Sequence, residues 1–543
     1  MVDSDIVVAS KAEDYHVGHL FLAVMKKNPD GLNQIDAATG EKETNASVLS
    51  RSVRLAKCLR RLGLQPGDVL ALGGPNHINL HIPYYAAMLN GLPLVGADHT
   101  YKYDEVHALF KQTEPKIAFC QYEKSEIFER AAKALNLDTK IVTFDKGNCT
   151  MEKFMDSYDE DGSLEGFEPA SFDLDKIYLW LIGTGGTTGR SKIAAFKHRP
   201  WVEKAVQYLQ MVRLLQAKLQ KPESDNQKKT WADNTALNVS PIHWISGFFN
   251  PIAMAMSGNC KIQTSAEQTA EHVIDVINTY KPTNMLMGPS LMTSILNHEK
   301  QCDFSCCNII TLTGGQVYKD ILVRLKKRVR EDTLIFVAYG QTETLGPCLS
   351  PLPFGPLGNC GKPMSNMQIR LVDPETGKDI TEPNTPGELW TKGPCFTEYY
   401  NSPEETAQAF TEDGWYKTGD ILYRDDNNFY FFVERLKMLI KYRNQHVLPV
   451  ELEEVIRSHP DVFDVGVTSI PSEQDGEHPV ACVVTRPGSH VTAQQIHTLV
   501  ADKLSESKQL RGGVVFLREL PLTSTGKLAR AALRKLVLDC ERL

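Results

Sequence analysis

Four segments of the chain hold residue types that can grip phosphate, a cation and a sugar. The first, Thr184-Gly185-Gly186-Thr187-Thr188-Gly189-Arg190-Ser191-Lys192, follows an apolar run at residues 177–182. Its glycines let backbone approach a ligand closely, while hydroxyls, amides and Lys192 supply donors, a composition suited to polyphosphate. The spacing is not that of a P-loop, since no Gly-Lys-Ser/Thr follows at the required distance; the plainer alternative is a flexible β-turn. The second, Tyr339-Gly340-Gln341-Thr342-Glu343-Thr344, sets a carboxylate beside a hydroxyl and an aromatic ring, able to hold Mg²⁺, touch phosphate and stack on a base. The third, Gly414-Trp415-Tyr416-Lys417-Thr418-Gly419-Asp420, offers a carboxylate that can accept from the vicinal hydroxyls of a ribose. The fourth, Pro521-Leu522-Thr523-Ser524-Thr525-Gly526-Lys527, presents one lysine on a turn, for which solvation alone is the default reading.

Holding such loops requires alternating strands and helices. Leu55, Leu59 and Leu62 recur at helical spacing over residues 47–62, Gly63 stops the helix, and the Pro66-Gly67-Asp68 turn leads to a strand at 69–72. Further strands are expected at 92–96, 116–120, 141–144, 177–182, 309–312 and 334–337, with helices at 83–89 and 125–135. This alternation predicts an α/β fold of parallel sheets with helices packed on them. Residues 217–233 are polar and are expected to form a surface excursion. After Pro351 the Gly/Pro turns predict a small barrel-like or antiparallel unit. A strand at 429–433 is followed by an α+β block with helices at 450–458 and 493–504 and strands at 462–469 and 480–485. At 543 residues the chain exceeds the ~250–300 residues that one core organises. The boundary is placed at Arg435, between a body of residues 1–435 and a C-terminal domain of residues 436–543.

With 59 basic and 67 acidic side chains the formal charge is −8, which argues against nucleic acid as a partner and leaves any anionic ligand to local cations. Twelve cysteines are scattered and no secretory leader is read in residues 1–10, so they are expected as reduced thiols. His298, Cys302, Cys306 and Cys307 raise a zinc site, but zinc-ribbon C-x-x-C pairs are missing, and small buried residues ahead of the strand at 309–312 are favoured. The most apolar stretch, 80–97, is interrupted by His81, Pro83, Asn90 and Pro93, so no transmembrane segment is expected. The terminal Glu541-Arg542-Leu543 departs from Ser-Lys-Leu, which favours a cytoplasmic over a peroxisomal location. A monomer or weak dimer is expected.

In this order, and with Arg435-Leu436-Lys437-x-x-Ile440-Lys441 between the third and fourth segments, the motifs resemble the signature of the adenylate-forming superfamily. Val372-Asp373-Pro374-Glu375-Thr376-Gly377, Pro386-Gly387-Glu388-Leu389 and Leu510-Arg511-Gly512-Gly513-Val514-Val515-Phe516 look like its branch of 4-coumarate:CoA ligases and insect luciferase-like acyl-CoA synthetases. The resemblance covers nearly the whole chain. It implies two βαβ-type subdomains plus a small β-barrel, capped by a mobile α+β domain. It also implies a reaction in which ATP and a fatty or aryl carboxylic acid give an acyl-adenylate and pyrophosphate, after which CoA takes the acyl group.

By that resemblance Thr184, Gly185, Gly186, Thr187, Thr188, Gly189 and Lys192 would bind the β- and γ-phosphates, Glu343 the Mg²⁺, and Thr342 the α-phosphate. Tyr339, Gly314, Gly315 and Gln316 would form the adenine pocket, and Asp420 with Arg435 would hold the ribose. Lys527 would bridge carboxylate and α-phosphate, Lys437 would be the hinge, and Lys441 would serve the second half-reaction. His243 and Trp244, with Gly340 and Gly346, would border the acyl pocket, while His198 is structural only.

Departures from the family pattern bear on function. Gly185 replaces a second Ser of the phosphate loop, Ser191 and Ile193 replace the Pro and Gly flanking the lysine, and Asn444 replaces a Gly near the CoA passage. Gly346-Pro347 stands where beetle luciferases have Ser-Ala. Two alternatives therefore remain beside the CoA ligase: an insect luciferase passing its adenylate to O₂, and a non-catalytic nucleotide-binding paralogue.

Overall fold

The computed structural model describes residues 14–158, 160–184, 192–205, 208, 234–350, 355–443, 445–522 and 527–540. Gly185, Gly186, Thr187, Thr188 and Gly189, Asn444 and the 217–233 excursion lie outside the described residues.

Strands Leu70–Gly73, Leu94–Ala97 and Ile117–Cys120 are apolar throughout and every residue is buried, the pattern of strands covered on both faces. They are central in a seven-stranded sheet ordered Glu398–Tyr399, Lys192–Lys197, Tyr178–Thr184, Leu94–Ala97, Leu70–Gly73, Ile117–Cys120, Lys140–Thr143. Pairing is parallel from Tyr178–Thr184 onward, and the first two strands run antiparallel. Helix Asn45–Arg61 starts at Thr44, whose Oγ1 accepts the Ser47 N–H at 3.2 Å. Its buried stripe packs on His81–Asn90, a helix buried on every side that stops at left-handed Gly91. Each large apolar side chain fully buried here contributes about 1.5–3 kcal/mol; Trp180 and Trp201, edge to face at 6.1 Å, are the bulkiest.

A second seven-stranded sheet runs Leu334–Ala338, Ile309–Thr313, Asn284–Met287, Thr235–Asn238, Cys260–Gln263, Leu32–Asp36, Lys42–Thr44, parallel except at the last strand. Cys302 and Cys307 are buried in its core with Ile310 and Leu312, the apolar role favoured from the sequence.

The expected barrel is corrected to an open sheet. Strands Gln368–Val372, Gly387–Lys392, Tyr416–Arg424 and Tyr430–Arg435 form an antiparallel meander whose outer strands do not pair with each other among the described residues. The free edge of Tyr430–Arg435 is met by a single bridge from Gly361, so closure has no partner strand among the described residues. The C-terminal block is a five-stranded sheet, Gln445–Val447, Ile440–Tyr442, Gly476–Thr485 and Val462–Ser472, with Val514–Leu517 parallel to Gly476–Thr485. Helices Pro449–Arg457 and Arg530–Asp539 pack on it. No helix among the described residues is long and apolar enough to cross a membrane.

Candidate active site

Several parallel strands of both large sheets end at one cleft of about 3990 Å³. Asp98 follows Leu94–Ala97, Thr184 ends its strand, Ser240 follows Thr235–Asn238, Gly314 follows Ile309–Thr313 and Tyr339 follows Leu334–Ala338, and all of them line the cleft. Carboxyl ends of parallel strands are where such sheets bind ligands, because side-chain-bearing loops converge there.

Asp420 anchors one side. It is 2% exposed, and its Oδ2 accepts from Tyr339 Oη at 3.0 Å and from Gln341 Nε2. Tyr416 Oη donates to Gln341 Oε1 at 2.8 Å, fixing the amide. Asp420 Oδ1 receives no hydrogen bond from the described protein and faces Arg435 Nε at 3.3 Å. Burial raises the Asp420 pKa despite Arg435. Gln316 Oε1 is a second buried acceptor on the cleft wall without a donor among the described residues. Two unsatisfied acceptors, one backed by a guanidinium, fit the hydroxyls and exocyclic amine of a nucleoside.

Glu343 sits deeper. Its Oε1 accepts from Tyr399 Oη at 2.9 Å, and burial pushes its pKa up, so a cation brought to it would relieve a desolvated carboxylate. Lys192 Nζ lies over the Tyr399 ring at 5.0 Å and pairs with Glu405. The turn carrying Glu343 is tight: Leu345 has φ 55°, and a Cβ on Gly340 would stand 2.2 Å from the Gly346 carbonyl oxygen, so position 340 requires glycine.

His243 and Trp244 precede helix Ile245–Met256 and line the same cleft. His243 Nε2 is 3.2 Å from Asp98 Oδ2, and burial holds its pKa down to about 4, so the imidazole is neutral at physiological pH. Gly96 lets the two sheets meet there, since a Cβ would fall 2.7 Å from His243 Cα.

Of the three lysines expected to act in turn, Lys527 and Lys437 line the cleft and Lys441 does not. Lys527 is solvent-accessible between the cleft walls, its pKa lowered by burial and by Arg435. Lys441 is exposed on strand Ile440–Tyr442, its backbone N–H donating to Glu477 at 2.9 Å. His198 is buried without a hydrogen bond to either ring nitrogen among the described residues.

Residues 21–401 match the family model of the AMP-binding enzyme, and residues 451–527 that of the AMP-binding enzyme C-terminal domain. The chain belongs to the AMP-binding enzyme family. It is 30% identical to a luciferin 4-monooxygenase of Photinus pyralis over 98% of this chain and 96% of that protein. It is 29% identical to the 4-coumarate--CoA ligase-like 9 protein of Arabidopsis thaliana, over 95% and 89%. ATP-bound MatB from Rhodopseudomonas palustris shares its fold with a TM-score of 0.84 at 22% identity, over 96% of this chain and 99% of that one. Several residues of this cleft were not assigned from sequence. Gln341 and Tyr416 stood inside quoted motifs, but the Gln341 bond to Asp420 and the Tyr416 bond to Gln341 depend on side-chain direction. Tyr399, Glu405 and Asp98 carry no local signal at all.

Proposed function

We propose that the chain activates a carboxylic acid with ATP, releasing pyrophosphate, and transfers the acyl group from the adenylate to CoA. The observation that carries the reading is the convergence of Lys527, Arg435, Asp420 and Glu343 on a cleft that His243 and Trp244 also line. A carboxylate is a poor electrophile, so its oxygen must attack the α-phosphorus while charge builds on phosphate oxygens, and fixed cations aimed there lower the barrier. Asp420 and Arg435 hold the ribose, Tyr339 with Gly314, Gly315 and Gln316 the base, and Lys192 with Thr184 the terminal phosphates. Thr342 binds the α-phosphate and Lys527 bridges it to the acid. Glu343 fits Mg²⁺, which takes one or two carboxylates together with substrate phosphates and would neutralise phosphate charge. The neutral His243 orients the acyl end. The body of residues 1–435 is joined through Lys437 to a cap of residues 436–543, whose rotation withdraws Lys527 and brings the face of Lys441 to the thiol step.

Acid-dependent pyrophosphate release followed by CoA-dependent AMP release tests this reading, and CoA-independent turnover with every acid opposes it. The 30% identity to a luciferin 4-monooxygenase supports a second fate, adenylate oxidation by O₂. Light emission on adding ATP and a tissue extract in place of CoA distinguishes it.

A further inference from the structure

Lys204 is a buried cation for which adenylation has no use. It lies in the helical segment 198–205, is 2% exposed, and forms part of the cleft wall. Its Nζ donates to the Pro347 carbonyl at 2.5 Å. The ionisable groups facing it are the thiols of Cys348 and Cys395, which burial pushes up to about 12 and about 11, leaving both neutral. No carboxylate balances the ammonium among the described residues, and a carbonyl engages one of its three donors. Lys261, equally buried, is a useful contrast: its Nζ meets His81 Nδ1 at 2.8 Å and it does not line the cleft.

The surroundings of Lys204 belong to the acyl side. Pro347 is in the short strand Gly346–Pro347, against which helix Ile245–Met256 packs. Tyr208, four residues after Lys204 in sequence, stacks edge to face on Phe249 at 5.3 Å, and Ser257 Oγ lies 3.5 Å from its hydroxyl. These side chains also line the cleft, so its acyl side mixes apolar walls with hydrogen-bond donors. A purely hydrocarbon substrate would leave the ammonium desolvated and unanswered.

Resting on the adenylation reading, we propose that Lys204 determines specificity by receiving an oxygen acceptor carried at the end of the acid remote from the reacting carboxylate. The substrate class is thus a dicarboxylic or ω-hydroxy acid, not a plain fatty acid. Burial also lowers the Lys204 pKa to about 8, so the amine donates in either protonation state, most strongly when charged.

The test compares octanoate, 8-hydroxyoctanoate and octanedioate, with the same trio at other chain lengths, in wild type, Lys204→Met and Lys204→Arg. Pyrophosphate release gives kcat/KM, and calorimetry with the matching acylsulfamoyl adenosines gives affinity without turnover. Wild type is expected to favour an oxygen-ended acid over its methyl-ended match by about tenfold or more. Lys204→Met is expected to erase or invert that ratio, and Lys204→Arg to retain part of it. Preference for the carboxylate arm over the hydroxyl arm identifies the acceptor as an anion. A wild-type preference for methyl-ended acids, or a ratio that Lys204→Met leaves unchanged, overturns the proposal. If analogues show the preference but no acid releases pyrophosphate, adenylation fails while the specificity assignment stands.

Discussion

At the scale of single residues, Asp420 shows binding geometry stored at a cost to the empty protein. Its folded pKa is raised by burial, so the ionised form is disfavoured in the fold relative to the unfolded chain. The sign follows: this group's contribution to stability declines as pH rises through its folded pKa. Asp420→Asn is therefore expected to raise the melting temperature of the ligand-free protein at neutral pH. It should also weaken ATP binding by about 10–100-fold, the loss of charge-assisted hydrogen bonds worth about 1.5–3 kcal/mol. Calorimetric titration beside thermal melts checks both, and a variant that is less stable and binds ATP normally would refute this view of Asp420. Lys527→Ala is expected to slow adenylation by about 10²–10³-fold while sparing the reaction of preformed acyl-adenylate with CoA; equal loss in both half-reactions would count against the division of labour. That Asp420, Arg435 and Lys527 would meet was legible in the sequence, because Asp420 and Lys527 end motifs of fixed spacing and Arg435 opens one. Gln341 and Tyr416 were not, since contacts within and between motifs depend on side-chain direction.

At the scale of elements, the N-terminus of helix Arg530–Asp539 ties the C-terminal block to the body. Arg530 Nη1 donates to Glu453 Oε1 at 2.5 Å, and Nη2 donates to Glu434 Oε2 at 3.0 Å, on strand Tyr430–Arg435. Burial works against these charges, but Arg530 still holds the Glu453 carboxyl below its usual range. Tyr318 Oη, on the body, adds a bond to Glu453 Oε2 at 2.6 Å. Removing the guanidinium strands two buried carboxylates, so Arg530→Ala is expected to cost about 3–5 kcal/mol. Denaturant unfolding measures that loss, and a change under ~1 kcal/mol would show that the pair contributes little. Because Lys527 lies three residues away, adenylation should fall as well. Five strands of the first sheet were readable from short apolar runs, three of them fully buried, whereas Lys192–Lys197 and Glu398–Tyr399 were not read. The hairpin of Leu32–Asp36 and Lys42–Thr44 was not read, since Leu32-Asn33-Gln34-Ile35-Asp36 has polar side chains at buried positions. The barrel was over-read because short strands and Gly/Pro turns describe an open meander equally well.

At the scale of the whole molecule, one cleft collects residues from the body and from the C-terminal block, and three buried and two half-buried histidines set the protein's tolerance of acid. Burial holds His16 near about 3 and His77 and His243 near about 4, and places His81 and His198 well below the ordinary value. A depressed histidine pKa means the unfolded chain binds more protons, so stability is full above ~6.5 and declines as pH falls toward the folded values. Each group costs at most about 1.4 kcal/mol per pH unit in that window. The melting temperature should fall steeply between about pH 6.5 and 5; a flat profile there would show that these imidazoles protonate in the fold. The overall charge of −8 is compatible with anionic substrates because Lys192, Arg435 and Lys527 are placed singly on the cleft. The measurement that bears most directly on the account is exchange of labelled pyrophosphate into ATP without CoA, across a panel of carboxylic acids. Reversible adenylation predicts label in ATP only when an acid is present, and exchange about 10²–10³-fold slower with Lys527→Ala. Exchange that ignores the acid, or none with any acid in the panel, would contradict it.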